Sequence, residues 1–130
     1  MTRFIADYME HGFLENIIDM FKHDRTLYPV ISDLISDERG RVRIGTVALV
    51  EELMRDYEDE IIKVIPHIAR NLTNEDPTIR GDTAYLLGLI GHKDAIPYLM
   101  DALNDEDTRV KEVIEEAIGS INGNGISDPE

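Results

Sequence analysis

The sequence predicts an all-α fold, a right-handed α-solenoid of about three to four helix pairs stacked on one another. Three observations carry this prediction: an internal repeat, apolar residues at helical spacing, and proline, glycine and acidic residues where helices would begin and end. The chain has 130 residues, of which 42% are hydrophobic. That is enough for a single domain with a substantial core, and we place this domain at residues 1–121.

The internal repeat is found by aligning three segments without a gap. They read PVISDLISDERGRVR, PHIARNLTNEDPTIR and PYLMDALNDEDTRVK, at residues 29–43, 66–80 and 97–111. Each begins with proline, carries a large aliphatic residue near its middle, and ends with valine or isoleucine followed by a base. A short polar residue stands two positions after the aliphatic one. We therefore interpret each copy as a helix, a polar corner and a second helix.

An alternative interpretation concerns the oxygen-rich stretch NDEDTRVK, residues 104–111, which resembles a Ca²⁺-binding loop. The alignment argues against it, because the first copy has Arg39 where the third has Asp107. The glycine turn and the distal bidentate acid of such a loop are also missing. We favour the repeat corner and predict no metal site and no cofactor.

The elements follow in chain order. Residues 1–25 hold two apolar patches split by Gly12, and they predict a degenerate N-terminal capping unit. Repeats are predicted at 26–57, 58–92 and 93–121. The interval between the first two repeat prolines is longer than the next one, so we expect an extended helix or a longer loop near residues 54–60. The glycine-rich tail, 122–130, is predicted to be disordered.

Helix ends are predicted from capping residues. Asp76 and Pro77 indicate the start of a helix that ends at Gly91, and Asp94 is the predicted N-cap of the next helix, with Pro97 in its first turn. Apolar residues at helical spacing give the buried faces of the helices. In chain order these are Ile79, Thr83, Leu86, Leu87 and Ile90; Ile96, Leu99, Met100 and Leu103; and Val110, Ile114, Ala117, Ile118 and Ile121.

These residues also carry a resemblance. Ile79-Arg80, Ala84, Leu87-Gly88, Ile90-Gly91 and Ala95-Ile96-Pro97 resemble HEAT-type repeats of the phycobilisome-lyase-like subclass. The third copy matches at Val110-Lys111, Ala117, Ile118-Gly119 and Ile121, whereas the first has Glu51 where the family has glycine. The resemblance spans residues 26–121. It implies a ladder between neighbouring repeats, formed by a corner residue and a following base, and the matching pairs are Asp37 with Arg43, Asn74 with Arg80, and Asp105 with Lys111.

The resemblance further implies that the second helix of each pair lines a concave binding face. The residues off its apolar stripe are Arg41, Ile44, Ala48, Glu52, Asp82, Tyr85, Leu89, Arg109, Glu112, Val113 and Glu116. They combine an aromatic residue, aliphatic neighbours and an acidic rim, which is typical of a protein-binding patch. The alternative is that Tyr85 and Ile44 simply pack against adjacent helices.

Function is predicted mainly by exclusion. The net charge of −14 opposes binding to nucleic acid, and it either attracts a partner with a basic surface or serves solubility alone. HEAT-type di-iron hydroxylases use His-Glu pairs, but His11, His23, His67 and His92 are followed by other residues. We interpret them as surface or helix-end histidines, with a ligand pair from adjacent repeats as the open alternative. No nucleophile or phosphate-binding motif appears.

The leading hypothesis is therefore a non-enzymatic scaffold that binds a protein or peptide. The alternative is a small lyase- or chaperone-like protein that handles a tetrapyrrole or another prosthetic group, as phycobilin lyases do. The absence of cysteine, of a signal-like N-terminus and of long apolar runs predicts a cytoplasmic protein without membrane contact. Phe4, Phe13 and Phe21 concentrate in the capping unit, so we expect either a monomer or a weak homodimer through that unit.

Overall fold

The computed structural model describes residues 1–123, and within that range the chain consists of α-helices, short 3₁₀ turns and loops. The all-α prediction is confirmed. The helices are α1 (Thr2–Glu10), α2 (Leu14–His23), α3 (Val30–Ile35), α4 (Gly40–Leu53), α5 (Glu58–Lys63), α6 (Ile65–Ala69), α7 (Pro77–Ile90), α8 (Ile96–Asp101) and α9 (Thr108–Asn122). The predicted disordered tail lies outside the described residues, except that Asn122 ends α9 and Gly123 follows it.

The helices form two layers. The long helices follow one another in the first layer, where α4 contacts α7 and α7 packs extensively on α9. The short helices α3 and α6 contact each other in the second layer, and the turn before α8 continues it. Each long helix also packs on a short helix that precedes it in the chain. This arrangement is consistent with an α-solenoid.

The ends of α7 and α9 follow from their capping residues. The Asp76 carboxylate accepts a hydrogen bond from the Thr78 N–H at 2.9 Å, and Pro77 occupies the first turn, as predicted. Gly91 ends α7 with φ of 71°, a left-handed conformation that glycine adopts without steric cost. Asp107 caps α9 in the same way as Asp76 caps α7.

Two predictions about helix boundaries are wrong. Asp94 does not cap α8, because it lies inside a 3₁₀ turn, Lys93–Ala95, whose N-cap is the ring of His92. The extended helix or long loop expected near residues 54–60 is instead a short turn followed by an additional helix, α5. Three acidic residues in the first turn of α5 favour its formation, since they lie at the positive end of the helix dipole.

The core lies between the two layers and contains the predicted apolar faces. The predicted face of α7 is buried throughout, and the face of α9 is buried or half-buried. Met100 departs from the prediction, because 52% of its surface is exposed although it follows the buried Leu99. A six-residue helix such as α8 has less than two turns, so only a narrow stripe of it can face the core.

The N-terminal unit, α1 and α2, packs on α4. Phe21 is fully buried and contacts Tyr28 edge to face, with ring centroids 5.4 Å apart. Phe4 and Phe13 remain exposed. Both rings stack on that of Tyr8, with centroid distances of 5.4 and 4.5 Å. The unit therefore covers the end of the core but leaves an aromatic cluster at the surface.

Candidate functional site

A groove runs between α7 and α9 on the side away from the short helices. Tyr85 lies at its centre, where two adjoining recesses of about 370 and 290 Å³ meet. Val113 and Glu116 of α9 face Tyr85 and line both recesses. The helices come close enough to form one continuous surface because α7 carries Gly88 at the contact. A methyl group there would lie 3.0 Å from the Ala117 Cβ.

Six of the residues predicted for the concave face line this α7–α9 groove: Asp82, Tyr85, Leu89, Arg109, Val113 and Glu116. The other five lie outside its lining, with Glu112 exposed on α9 and the rest on α4: Arg41, Ile44, Ala48 and Glu52. Tyr85 is 55% exposed and Ile44 is 74% exposed. Neither side chain is therefore buried between adjacent helices.

The groove has an acidic rim around its aromatic centre. Among the described residues its lining carries the carboxylates of Asp82, Asp107 and Glu116 and the guanidinium of Arg109. The carboxylate of Asp82 accepts a hydrogen bond from Nε of Arg43 at 2.7 Å, across the α4–α7 contact. Asp82 nevertheless keeps 44% of its side-chain surface exposed. The rim can therefore still meet a positively charged group.

The predicted ladder exists, but two of its pairs connect different atoms. Arg43 donates to the backbone carbonyl of Asp37 at 2.7 Å, not to its carboxylate. Arg80 likewise donates to the carbonyl of Asn74 at 2.9 Å, and its fork binds the carboxylate of Asp105 in the next copy at 2.8 and 3.0 Å. Each arginine thus donates a hydrogen bond to a corner carbonyl in its own copy, and its guanidinium also binds a carboxylate in the next copy.

The third predicted pair is absent. Lys111 is exposed, and it makes no ion pair with Asp105 within residues 1–123. Asp105 instead belongs to Arg80, and this pair is mostly buried, with 7% and 11% of the two side chains exposed. The hydrogen bonds from Arg80 lower the pKa of Asp105. The carboxylate is thereby held in its charged form at the corner.

Sequence reasoning missed the structural role of Arg39. Its guanidinium binds both carboxylate oxygens of Asp37, at 2.9 and 3.0 Å, and it also binds Asp7 and Glu10 of α1 at 2.8 Å. Arg39 therefore joins the N-terminal unit to the first corner, and its hydrogen bonds lower the pKa of Asp37. The repeat alignment contained a signal for this role, because the first copy has a base, Arg39, where the third copy has an acid, Asp107.

Three of the four histidines and the acidic corner serve local structure. The rings of His11 and His23 hydrogen-bond backbone carbonyls one turn earlier, and the ring of His92 accepts from the Asp94 N–H. In NDEDTRVK, Asp105 binds Arg80 and Asp107 caps α9, which confirms the corner interpretation. Within residues 1–123 the structure has no group of three or more side chains suited to a metal ion. The same range contains no helix with the length and apolarity needed to cross a membrane.

Comparison with known proteins identifies the repeats. The family described as HEAT repeats matches residues 65–129, half of the chain. No curated protein and no solved structure matches the sequence. The matched region begins at α6 and contains α7, α8 and α9, which include the groove and the Arg80–Asp105 pair. The chain therefore belongs to the HEAT repeat family.

Proposed function

We propose that this chain is a non-enzymatic scaffold that binds a protein or peptide in the α7–α9 groove. Tyr85 is the observation that carries the proposal. It stands 55% exposed at the centre of the groove, while Leu86 and Leu87 beside it are fully buried. Exposed aromatic residues with aliphatic neighbours are enriched where proteins bind one another. HEAT repeats commonly serve as protein-interaction scaffolds and are typically not enzymes.

The predicted residues outside the groove extend the surface in this proposal. Arg41, Ile44, Ala48 and Glu52 recur at helical spacing along α4, so they share one face of that helix. The bond between Arg43 and Asp82 holds α4 beside α7. A partner long enough to leave the groove would therefore meet Ile44, and Glu112 would lie at the margin on α9.

The finer structural assignments are part of the same proposal. We propose a right-handed solenoid of about three to four helix pairs, with a capping unit at 1–25 and repeats at 26–57, 58–92 and 93–121. The close approach of Gly88 to Ala117 supports the phycobilisome-lyase-like subclass, whose Leu-Gly signature it occupies. Exposure of Phe4 and Phe13 favours a weak homodimer over a monomer, and light scattering at rising concentration tests this. A cytoplasmic location stays a prediction.

The test of the binding site replaces Tyr85 by alanine and uses Tyr98→Ala as the matched control. Tyr98 is also exposed, but it lies on α8 outside the groove. Each variant is used to capture partners from a native extract, and affinity for an identified partner is then measured. We expect Tyr85→Ala to weaken binding about 30-fold, since loss of a central aromatic costs about 2 kcal/mol, with little change in the melting temperature.

Tyr98→Ala should bind the partner like the unchanged protein. Equal capture by both tyrosine variants would show that the partner binds elsewhere, and the acidic surface outside the groove would become the candidate. The alternative function predicts a different result in the same preparation. A protein that handles a tetrapyrrole would carry absorbance in the visible range after purification, whereas a protein-binding scaffold would be colourless.

A further inference from the structure

We propose that the α7–α9 groove takes an arginine or lysine side chain from its peptide partner, and that Arg43 competes with this side chain for the carboxylate of Asp82. The inference rests on the proposed function, because it requires a peptide in the groove. It adds the chemistry of the partner and names a residue outside the groove, Asn74, that determines how strongly the groove binds a cation.

The groove offers each part of a long cationic side chain a suitable contact. The ring of Tyr85 is exposed, and a guanidinium or ammonium group over its face is attracted to the ring electrons. Val113 and Leu89 are half-buried in the lining, and they can cover the aliphatic stem of such a side chain. Glu116 lines both recesses beside Tyr85, so its carboxylate lies within the same site.

The first turns of α7 and α9 also line one recess, and helix N-termini ordinarily favour anions. Here the chain supplies its own anions. The Asp76 carboxylate accepts from the Thr78 N–H, and the Asp107 carboxylate accepts from the N–H groups of Arg109 and Val110. These N–H groups already have charged acceptors, and the lining carries three carboxylates against the guanidinium of Arg109. The net charge of the lining is therefore negative, which favours a cationic ligand.

The competition for Asp82 follows from a difference between two corners. At the third corner, Oδ1 of Asp105 accepts from the Asp107 N–H at 2.9 Å and also from Arg80, while Oδ2 accepts from Nε of Arg80. At the second corner the corresponding residue is Asn74. Its Oδ1 accepts from the Asp76 N–H at 2.8 Å, as Asp105 does for its own neighbour.

The remaining group of the Asn74 side chain is an NH₂, which donates hydrogen bonds and cannot accept one from a guanidinium. Arg43 corresponds to Arg80 in the gapless alignment, and it makes the same bond to its own corner carbonyl. Its Nε, however, binds Oδ2 of Asp82 at 2.7 Å. Asn74 therefore diverts Arg43 onto the rim of the groove, where it neutralises part of the charge that a partner would meet.

The experiment titrates two synthetic peptides into ¹⁵N-labelled full-length protein and follows amide shifts by NMR. Both peptides have one central side chain between two leucines, arginine in one and its neutral isostere citrulline in the other. We expect shifts at residues 78–89 and 109–120, with affinity about fivefold to tenfold higher for the arginine peptide, because only that peptide carries the charge. Raising the salt concentration should reduce this difference.

The role of Asn74 is tested by Asn74→Asp, with Asn74→Ser as the matched control. Aspartate can accept from both the Asp76 N–H and Arg43, which frees Asp82, so we expect about twofold to fivefold tighter binding of the arginine peptide. Serine can keep the turn by accepting from the Asp76 N–H but adds no charge, so its affinity should be unchanged. Equal gains for both variants would overturn the competition between Arg43 and the ligand.

Other results separate this inference from the proposed function. Equal binding of both peptides in the groove would overturn the preference for a cation and leave a peptide-binding groove standing. Tighter binding of a peptide with central glutamate would also overturn it, and would indicate an anionic partner. Shifts confined to residues outside 78–89 and 109–120, or none at millimolar concentration, would exclude a cation site in the groove. Loss of partner capture by Tyr85→Ala would still support the proposed function.

Discussion

The two ends of the helical stack are held together in different ways. At the C-terminal end, Gly88 of α7 meets Ala117 of α9 so closely that a methyl group on Gly88 would lie 3.1 Å from the Ala117 backbone. At the N-terminal end, Gly45 of α4 faces the flexible side chain of Met9 in α1. The buried Arg80–Asp105 pair closes the C-terminal corner, whereas the more exposed Arg39 joins α1 to the first corner.

The difference shows which contacts a repeat must preserve. Backbone packed close to backbone requires a particular small residue at a particular position, so the C-terminal end carries a recognisable pattern, and the HEAT repeats family matches it. A contact made by methionine tolerates many sequences, because that side chain adapts to its surroundings. The N-terminal unit can therefore complete the same core without showing the repeat in its sequence.

The largest expected effect comes from truncating one buried residue at each end of the stack, which leaves a cavity in the core. Leu87 and Ile5 are both fully buried, on α7 and α1 respectively. Leu87→Ala should lower the free energy of unfolding by about 2–5 kcal/mol, because the closely packed helices around it cannot move into the space. Ile5→Ala should lie at the low end of that range, because Met9, one turn away, can fill part of the cavity.

Urea unfolding at pH 7, followed by circular dichroism, measures both variants. The comparison holds only if the two free energies are taken from transitions of equal cooperativity. A larger loss for Ile5→Ala than for Leu87→Ala would mean that the N-terminal unit is the more rigid end. The assignment of adaptable packing to Met9 would then be wrong.

Periodicity predicted the buried faces of α7 and α9, and capping residues predicted both ends of α7. The face of α7 and the residues that begin and end it follow from local physical chemistry, so they could be inferred from a few neighbouring letters. The additional helix α5 could not, because six residues are too few for a stable isolated helix, and its contacts with α4 and α6 add to the local effect of its acidic first turn. The exposure of Met100 was missed for the same reason, since a short helix offers no second turn to fix its orientation.

The candidate site was predicted in part. The position of Tyr85 off the buried stripe follows from the helical period and was correct. The resemblance implied a ladder between neighbouring repeats, but the residues matched to it were pairs within one copy, because a linear sequence shows which residues recur but not which copies touch. That Arg80 reaches Asp105 and that Arg43 reaches Asp82 depends on how neighbouring helices stack. Such contacts can be seen only in three dimensions.

A smaller effect is expected at the corners, and it depends on pH. Arg80→Gln leaves the mostly buried carboxylate of Asp105 without its charged donor, so we expect a loss of about 1–3 kcal/mol at pH 7. The pKa of Asp105 in the folded protein is lowered below its ordinary value of 3.8. The stabilisation by this pair is therefore present above about pH 4 and is lost as the pH falls through the folded-state pKa.

Unfolding by urea at several values between pH 7 and pH 3 gives the measurement. The difference between the original protein and Arg80→Gln should be largest near neutrality and should shrink below pH 4. Arg39→Gln is the matched variant at the other corner, and we expect a smaller loss there, because Arg39 and its partners on α1 are better solvated. A difference that is constant across this pH range would show that the Arg80 side chain contributes by packing alone.

The smallest effect comes from adding one methyl group at each end. A Gly→Ala change inside a helix gains about 0.5–1 kcal/mol from reduced chain entropy, so any loss must come from the new contact. At Gly88 the added carbon would lie 3.0 Å from the Ala117 Cβ and close to its backbone, so α7 and α9 must separate. At Gly45 it would lie 2.5 Å from Sδ of Met9, which can turn aside.

Since overpacking costs about 1–3 kcal/mol, Gly88→Ala should destabilise by about 1 kcal/mol net, while Gly45→Ala should stay within about 0.5 kcal/mol of the original protein. Thermal unfolding of the two variants side by side decides this. A destabilised Gly45→Ala beside an unaffected Gly88→Ala would reverse the comparison between the two ends.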